Sequence, residues 1–148
     1  IDRFEWLLEK ATEIGVDRIT PVITARTERL HLRTDRLEKV LIAAMKQSQR
    51  AWLPVLDAPV PLRDLFGQPA TQRYFGWCEG ERASFMQAYS PASDALVLIG
   101  PEGDFTLQEA DELRDAGFRA VGLGNARLRT ETAALAAVTW MSFALQAR

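Results

Sequence analysis

Two glycine-containing turns hold the side chains with the clearest chemical potential. The first is residues 99–106 (I-G-P-E-G-D-F-T), between a predicted buried strand and a predicted helix. Its glycines permit a close backbone approach to a ligand, and Pro101 stiffens the loop between them. Glu102 and Asp104 put carboxylates where a phosphate at this helix N-terminus would rest. The turn therefore predicts a site for a neutral or cationic ligand, with a rigid, purely structural turn as the alternative.

The second turn, residues 122–133 (G-L-G-N-A-R-L-R-T-E-T-A), leads into the last predicted helix. Its opening imitates the dinucleotide fingerprint G-x-G-x-x-G, but Arg127 occupies the third glycine position, so this signal is weak. Arg127 and Arg129 precede the helix N-terminus, where cations oppose the helix dipole. The pattern favours an anionic partner such as RNA, with a structural pair between Arg129 and Glu131 as the alternative.

The composition restricts what these turns can do. The 148 residues include one cysteine, Cys78, and one histidine, His31, so we expect no metal site, no internal disulfide and no catalytic triad with histidine. A lone cysteine and the lack of a secretory or lipidation motif predict a cytoplasmic protein. The net charge of −2 is not typical of a stand-alone nucleic-acid binder, although arginines cluster between Arg26 and Arg36.

Alternating strand and helix patterns must position both turns. The predicted helices are 4–14, closed by Gly15, 34–49, 106–116 with a Thr106/Glu109 capping box, and 130–146. The predicted strands are 18–23, 54–57, 72–78, 95–99 and 120–123, with one helical turn at 62–66. This order predicts a single α/β domain over residues 1–148, a mostly parallel sheet with helices on both faces. In such sheets, the loops at the carboxyl ends of the strands form the ligand crevice.

The last predicted helix lacks a polar face. Residues 132–147 carry no charged side chain, and bulky apolar residues such as Trp140, Met141 and Phe143 surround its circumference. A membrane span is disfavoured, because the segment is short and rich in Ala and Thr. We therefore expect a second copy of the chain to cover this helix in a symmetric homodimer.

Together, the two turns resemble the signature of the RsmE-type 16S rRNA uracil-N3 methyltransferases, which belong to the SPOUT superfamily. The motifs that carry the resemblance are I-G-P-E-G-D-F-T-x-x-E (99–109), L-G-x-x-R-L-R-T-E-T-A (123–133), K-A-T-E-I-G-V (10–16), I-T-P (19–21) and K-Q-S-Q-R (46–50). The chain departs from the common form at a few positions. Asp104 replaces a second glycine, Ala25 and Lys46 replace acidic residues, and residues 125–127 (N-A-R) stand where Pro-Arg-Ile is usual.

This resemblance implies a catalytic domain with a deep C-terminal trefoil knot that dimerises partly through its last helix. It also implies an N-terminal PUA-like RNA-binding domain in the whole protein, outside this chain. The implied cofactor is S-adenosylmethionine, bound in the knot mainly by backbone atoms and beside the end of the 72–78 strand. The implied cofactor-binding residues are Gly100, Pro101, Glu102, Gly103, Leu123, Gly124, Leu128, Arg129 and Thr130.

The implied reaction transfers a methyl group to N3 of a uridine in 16S rRNA of the small ribosomal subunit. Arg129 is our candidate to stabilise the uracilate, and Glu131 either orients Arg129 or accepts the proton. Arg26 and Arg50 are candidates for rRNA binding, or for an active site completed by the other subunit. The alternatives are a SPOUT enzyme that methylates a ribose 2′-hydroxyl in tRNA or 23S rRNA, a dinucleotide-dependent enzyme, and a non-catalytic RNA-binding or assembly module.

Overall fold

The computed structural model describes residues 2–28 and 32–147, so His31 and part of the predicted arginine cluster lie outside the described residues. Its helices are α1 (Arg3–Ile14), α2 (Thr34–Gln47), α3 (Phe85–Ala88), α4 (Leu107–Asp115) and α5 (Thr130–Gln146), with a 3-10 turn at Leu62–Leu65. Its strands are β1 (Arg18–Ile19), β2 (Val22–Ile23), β3 (Val55–Leu56), β4 (Val60–Pro61), β5 (Gln72–Gly76), β6 (Ala83–Ser84), β7 (Ala95–Leu98) and β8 (Arg119–Gly122).

The strands pair in parallel. The four-stranded sheet has the order β6-β8-β5-β7, so β5 lies between β7 and β8. The register aligns Phe75 of β5 with Leu98 of β7 on one side and with Ala120 of β8 on the other. Two shorter parallel pairs, β1–β3 and β2–β4, lie in the first half of the chain. The predicted α/β class with a mostly parallel sheet is confirmed.

Helices cover both faces of the four-stranded sheet, as predicted. Tyr74 and Phe75 are neighbours on β5, and their side chains point to opposite faces because successive strand residues alternate. Phe75 is fully buried in a cluster with Ala110 and Leu113 of α4. Tyr74 packs on the other side in a cluster that includes Ala137 of α5. Burial on both faces explains why the β7 sequence (A-L-V-L) is continuously apolar rather than alternating.

Local capping defines where the long helices begin and end. The predicted capping box forms at α4: the Thr106 hydroxyl accepts a hydrogen bond from the Glu109 backbone, and the Glu109 carboxylate accepts one from the Thr106 backbone. The predicted left-handed cap forms at Gly15, with φ 116°. The prediction for α2 was two residues too long, because Gln49 adopts a left-handed φ of 60° and leaves the helix.

Other predictions for the first half of the chain were wrong in detail. The single strand predicted over 18–23 is divided into β1 and β2, because Pro21 has no N–H to donate to a ladder. The chain changes partner at this proline, from β3 to β4. The short elements β4, β6 and α3 were not predicted, since two to four residues are too few to show a periodic pattern.

Helix α5 has the bounds predicted from sequence, Thr130–Gln146, and leaves much apolar surface on this chain. Ala137 is its only fully buried residue among those described. Phe143 and Leu145 are 56% and 52% exposed, and Trp140 is 36% exposed. Within residues 2–28 and 32–147, no helix is both long and apolar enough to cross a membrane.

Asp57 ties β3 to β1 and makes the stability of the fold depend on pH. Its carboxylate accepts hydrogen bonds from Arg18 Nε and Nη2 at 2.7 and 2.8 Å, and another from the Thr20 hydroxyl. The hydrogen bond from Arg18 is the main reason that the pKa of Asp57 lies below its ordinary value, against burial, which raises it. A carboxyl with a lowered pKa in the folded state stabilises the fold above its unfolded-state pKa and loses this effect as pH falls.

We therefore predict that Asp57→Asn lowers the free energy of unfolding at pH 7, and that the difference from wild type shrinks as pH falls below about 4. Urea unfolding at several pH values measures both quantities. Glu38→Gln, at an exposed position of α2, is the control that removes a carboxylate without this network. If wild type exceeds Asp57→Asn in free energy of unfolding by the same amount at pH 7 and pH 3, the pH dependence assigned to Asp57 is wrong.

Candidate functional site

The turns after β5, β7 and β8 line one cavity of about 530 Å³. The strands are adjacent and parallel, so their carboxyl ends meet at one edge of the sheet. This is the crevice that the sequence predicted for an open parallel sheet. Both glycine-containing turns contribute to it, together with Arg82 and residues 76–79, which comprise the last residue of β5 and the loop that follows.

A hydrogen bond joins the two turns directly. The Thr130 hydroxyl, at the start of α5, donates to the carbonyl oxygen of Gly100 at 2.9 Å. Gly100 is buried, and a Cβ there would lie 3.2 Å from the backbone nitrogen of Phe105 and 3.2 Å from Asp104 Oδ1. The tight space at this position therefore favours glycine, and the turn forms part of the cavity wall.

Asp104 links the first turn to the loop after β5. Its Oδ1 accepts a hydrogen bond from its neighbour Phe105 N at 2.8 Å, and its Oδ2 accepts one from Cys78 N at 3.2 Å. The pKa of the Cys78 thiol is raised, mainly by burial and then by the charge of Asp104, while Arg127 and Arg82 act in the opposite direction. A raised pKa lowers the thiolate fraction and makes this thiol less reactive than an ordinary cysteine.

Every residue predicted to bind the cofactor lines the cavity, except Gly103. The Gly103 carbonyl instead accepts a hydrogen bond from Arg26 Nη1 at 2.5 Å. A Cβ at Gly103 would meet Arg26 Cδ at 3.1 Å. Gly103 therefore lies on the outer side of the turn, and a larger side chain there would displace Arg26 rather than fill the cavity.

Three arginines line the same cavity: Arg82, Arg127 and Arg129. Arg82 Nη1 donates to the carbonyls of Cys78 and Gly80, both at 3.2 Å. Within the described part of the chain, the side chains of Arg127 and Arg129 make no hydrogen bond or ion pair. Arg82 was not predicted as a site residue, because no recognisable motif surrounds it.

Among the described residues, Glu131 does not pair with Arg129. The purely structural ion pair that the sequence allowed for these two residues is therefore not formed. Glu131 Oε1 lies 3.8 Å from Arg3 Nε, and its side chain is 15% exposed. Arg3 Nη1 also donates to Glu102 Oε1 at 2.8 Å. Arg3 thus connects one carboxylate from each turn, and Glu131 lies outside the cavity lining.

The two arginines predicted to bind RNA occupy different environments. Arg26 is exposed and lies against the first turn through Gly103. Arg50 is partly buried, and its guanidinium donates to the carbonyls of Glu13 and Ile14 at the end of α1, at 2.7–3.1 Å. It also lies 5.7 Å from the ring centre of Trp52. This geometry gives Arg50 a structural role.

Both the fold and the site are those of a parallel α/β domain with a ligand crevice formed by two turns. Residues 1–142 match the family model of the RNA methyltransferase domain, and the chain belongs to this family. The resemblance identified from the motifs is therefore confirmed.

Two relatives named ribosomal RNA small subunit methyltransferase E illustrate the similarity. The one from Aquifex aeolicus is 33% identical over 138 residues, 90% of this chain and 59% of that protein. The one from Rickettsia conorii is 30% identical over 141 residues, 93% of this chain and 58% of that protein. The chain thus spans about three-fifths of the length of these relatives.

Solved structures show the same fold. A probable rRNA methyltransferase from Porphyromonas gingivalis has a TM-score of 0.93 and 39% identity, over 98% of this chain and 63% of that one. A ribosomal RNA small subunit methyltransferase E from Neisseria gonorrhoeae, bound to S-adenosyl methionine, has a TM-score of 0.83 and 33% identity, over 95% of this chain and 61% of that one.

We predict that Arg50→Ala lowers the free energy of unfolding by about 1–3 kcal/mol, because it leaves the carbonyls at the end of α1 without a charged donor. Lys39→Ala removes a positive charge from an exposed position of α2 and should change stability by less than about 0.5 kcal/mol. Urea unfolding of both variants measures the difference. An Arg50→Ala variant that keeps its stability but loses RNA affinity would restore the RNA-binding role.

Proposed function

We propose that this chain is the catalytic domain of an S-adenosylmethionine-dependent methyltransferase that modifies N3 of a uridine in 16S rRNA. The observation that carries the proposal is a single cavity that joins two backbone turns to the unpaired Arg127 and Arg129. The turns provide a place for a small ligand, and the arginines provide a place for an anionic substrate. The names of the relatives and the cofactor bound to the gonococcal protein support the same reaction.

The cavity fits the proposed cofactor in size and charge. Its volume of about 530 Å³ falls among those of small-molecule sites, roughly 300–1,000 Å³. The carboxylates of Glu102 and Asp104 stand at its lining and disfavour a pyrophosphate as the ligand. Backbone atoms of Gly100, Leu123 and Leu128 would hold the rest of the ligand. When bound, S-adenosylmethionine would supply an electrophilic methyl group.

The residues of this chain would bind and stabilise the uracil. The N3–H proton would pass to solvent, N3 would form the bond to the methyl carbon, and the carbon–sulfur bond would break to leave a neutral thioether. The Arg129 guanidinium, with no carboxylate partner among the described residues, would stabilise the resulting uracilate. Glu131 faces Arg3 instead, so it would act indirectly by holding the two turns together. Alignment of the two reactants would lower the barrier further.

Contacts to the RNA phosphates would come from arginines around the cavity. Arg26 on the outer side of the first turn and Arg82 at the cavity edge are our candidates. Since the net charge is −2, these contacts give limited affinity, and the predicted PUA-like domain would supply the rest. A target in the small ribosomal subunit agrees with the predicted cytoplasmic location.

Nucleoside analysis tests this function. The full-length protein, with the predicted PUA-like domain, is incubated with small subunits that lack the modification and with methyl-labelled S-adenosylmethionine, and the rRNA is digested to nucleosides. The expected product is N3-methyluridine. A labelled 2′-O-methyl nucleoside would identify a different SPOUT enzyme, and cofactor binding without any label transfer would identify a non-catalytic module. Binding of NAD in place of S-adenosylmethionine would favour the dinucleotide enzyme.

Arg129→Ala should reduce kcat about 100-fold or more, because it removes the charge that stabilises the uracilate. Its affinity for S-adenosylmethionine and its melting temperature should stay close to wild type. Arg119→Ala is the matched control, since Arg119 is an exposed arginine at the opposite end of β8, outside the cavity lining. Normal turnover together with a loss of stability would show that Arg129 is structural.

We also propose a homodimer formed through α5. Met141 packs inward against the sheet cluster, whereas Phe143 is 56% exposed and faces away. Phe143→Asp should therefore convert a dimer to monomer or aggregate, as sedimentation velocity measures. Leu107→Asp is the control, because Leu107 is 69% exposed on α4 and should leave the dimer intact. A wild-type chain that is monomeric at micromolar concentration would exclude this interface.

A further inference from the structure

We propose that Asp104 is a positioning residue, which fixes the distance between the first turn and the loop after β5 and so shapes the cofactor cavity. This inference rests on the proposed function only in that S-adenosylmethionine occupies the cavity. The hydrogen bonds of Asp104 belong to this chain and stand without the ligand.

The backbone of Asp104 adopts a conformation that favours glycine. Among the described residues, Asp104 and Gln49 are the non-glycine residues with positive φ, and the φ of Asp104 is 65°. An aspartate tolerates this left-handed region better than most residues, but it still carries a cost that glycine does not. Its side chain must therefore contribute something that glycine would lack.

Both carboxylate oxygens of Asp104 are used by backbone donors. The bond from Phe105 N to Oδ1 is local and shapes the turn itself. The bond from Cys78 N to Oδ2 spans 26 residues and joins two loops. Trp77 N, one residue after β5, donates to Val121 O of β8 at 2.9 Å. The next backbone N–H, that of Cys78, donates to Asp104 instead of to a strand. Asp104 thereby extends the hydrogen bonding of β5 by one residue, toward the turn after β7.

The two loops joined in this way both contribute to the cavity lining. Cys78 and Asp104 both line the cavity, and Gly100, in the same turn, supplies part of its wall. The first turn has further attachments, at Gly103 to Arg26 and at Gly100 to Thr130. The bond to Cys78 N is, within the described chain, its attachment to the end of β5. Loss of that bond frees the cavity to widen there.

The decisive variant is Asp104→Asn. Asparagine keeps the shape of the side chain and tolerates positive φ, but its amide has one acceptor oxygen, so it cannot accept from both Phe105 N and Cys78 N. Asp94→Asn is the matched control. Asp94 Oδ1 accepts a hydrogen bond from Thr71 N at 3.0 Å, the same chemistry before the first residues of β5 and β7, outside the cavity lining.

Calorimetric titration with S-adenosylmethionine and with its demethylated product measures the effect. We expect Asp104→Asn to weaken both ligands about tenfold, since charged hydrogen bonds of this kind are worth about that much, and Asp94→Asn to leave both within twofold. Equal loss for both ligands is the signature of positioning. A loss confined to the cationic ligand would overturn the inference, because it would mean that the carboxylate acts directly on the sulfonium charge.

Alkylation of Cys78, the one cysteine in the sequence, gives a readout that needs no cofactor. Burial and then Asp104 raise the pKa of its thiol, so Asp104→Asn should lower this pKa and speed alkylation by iodoacetamide at pH 8. Asp94→Asn should not change the rate. If Cys78 is alkylated at the same rate in wild type and in Asp104→Asn, the inferred contact between Asp104 and Cys78 is wrong.

The outcomes separate this inference from the proposed function. If wild type binds no S-adenosylmethionine, the proposed function fails, while the alkylation rates still test the link between Asp104 and Cys78. If wild type binds and Asp104→Asn binds equally well, the positioning role is wrong. Should Asp104→Asn fail to fold, Asp104→Gly replaces it, because glycine accepts φ 65° without cost and also removes the link.

Discussion

Parallel pairing of β5 with both β7 and β8 is the constraint on which the site depends. Parallel neighbours end at the same edge of a sheet, so this pairing brings the turns after all three strands together. Parallel strands also require crossovers, and here a helix begins directly after each glycine-containing turn. The capping box at Thr106 starts α4, and Thr130 starts α5 while its hydroxyl binds the Gly100 carbonyl. The strand pairing that defines the sheet therefore also brings the site together.

The carboxylates and the arginines near the cavity differ in whether they have partners within this chain. The carboxylates of Glu102, Asp104 and Glu131 are engaged with Arg3 or with backbone N–H groups of this chain. Arg127 and Arg129 have no such partner among the described residues, although both precede a helix N-terminus that disfavours cations. Internal carboxylates therefore hold the turns in place, and the arginines remain available for an anion. This division agrees with the proposed RNA substrate.

Local patterns predicted the features that local interactions determine. The bounds of α5, the capping box of α4 and the left-handed cap at Gly15 follow from neighbours a few residues apart. The parallel sheet followed from the alternation of strands and helices, and the cavity from the position of the two turns.

Contacts between residues that are far apart in the sequence were not predicted. The Arg26–Gly103 bond spans 77 residues, and neither partner shows in its own segment that the other is near. Arg50 was a candidate for rRNA binding, but tertiary packing turns it toward the end of α1. Arg82 belongs to no motif, and its place in the cavity arises from the sheet order alone. The trefoil knot stays a prediction for the same reason, since periodicity describes segments and not their threading.

Hydrogen–deuterium exchange with and without S-adenosylmethionine tests most directly whether the turns form one cofactor site. The predicted result is slower exchange in residues 76–79, 99–104 and 122–130, the segments that line the cavity, with the rest of the chain nearly unchanged. A separate cavity of about 290 Å³ is lined by residues from segments 23–25, 61–66 and 106–112. Slower exchange confined to these segments would contradict the account. So would unchanged exchange throughout at saturating cofactor.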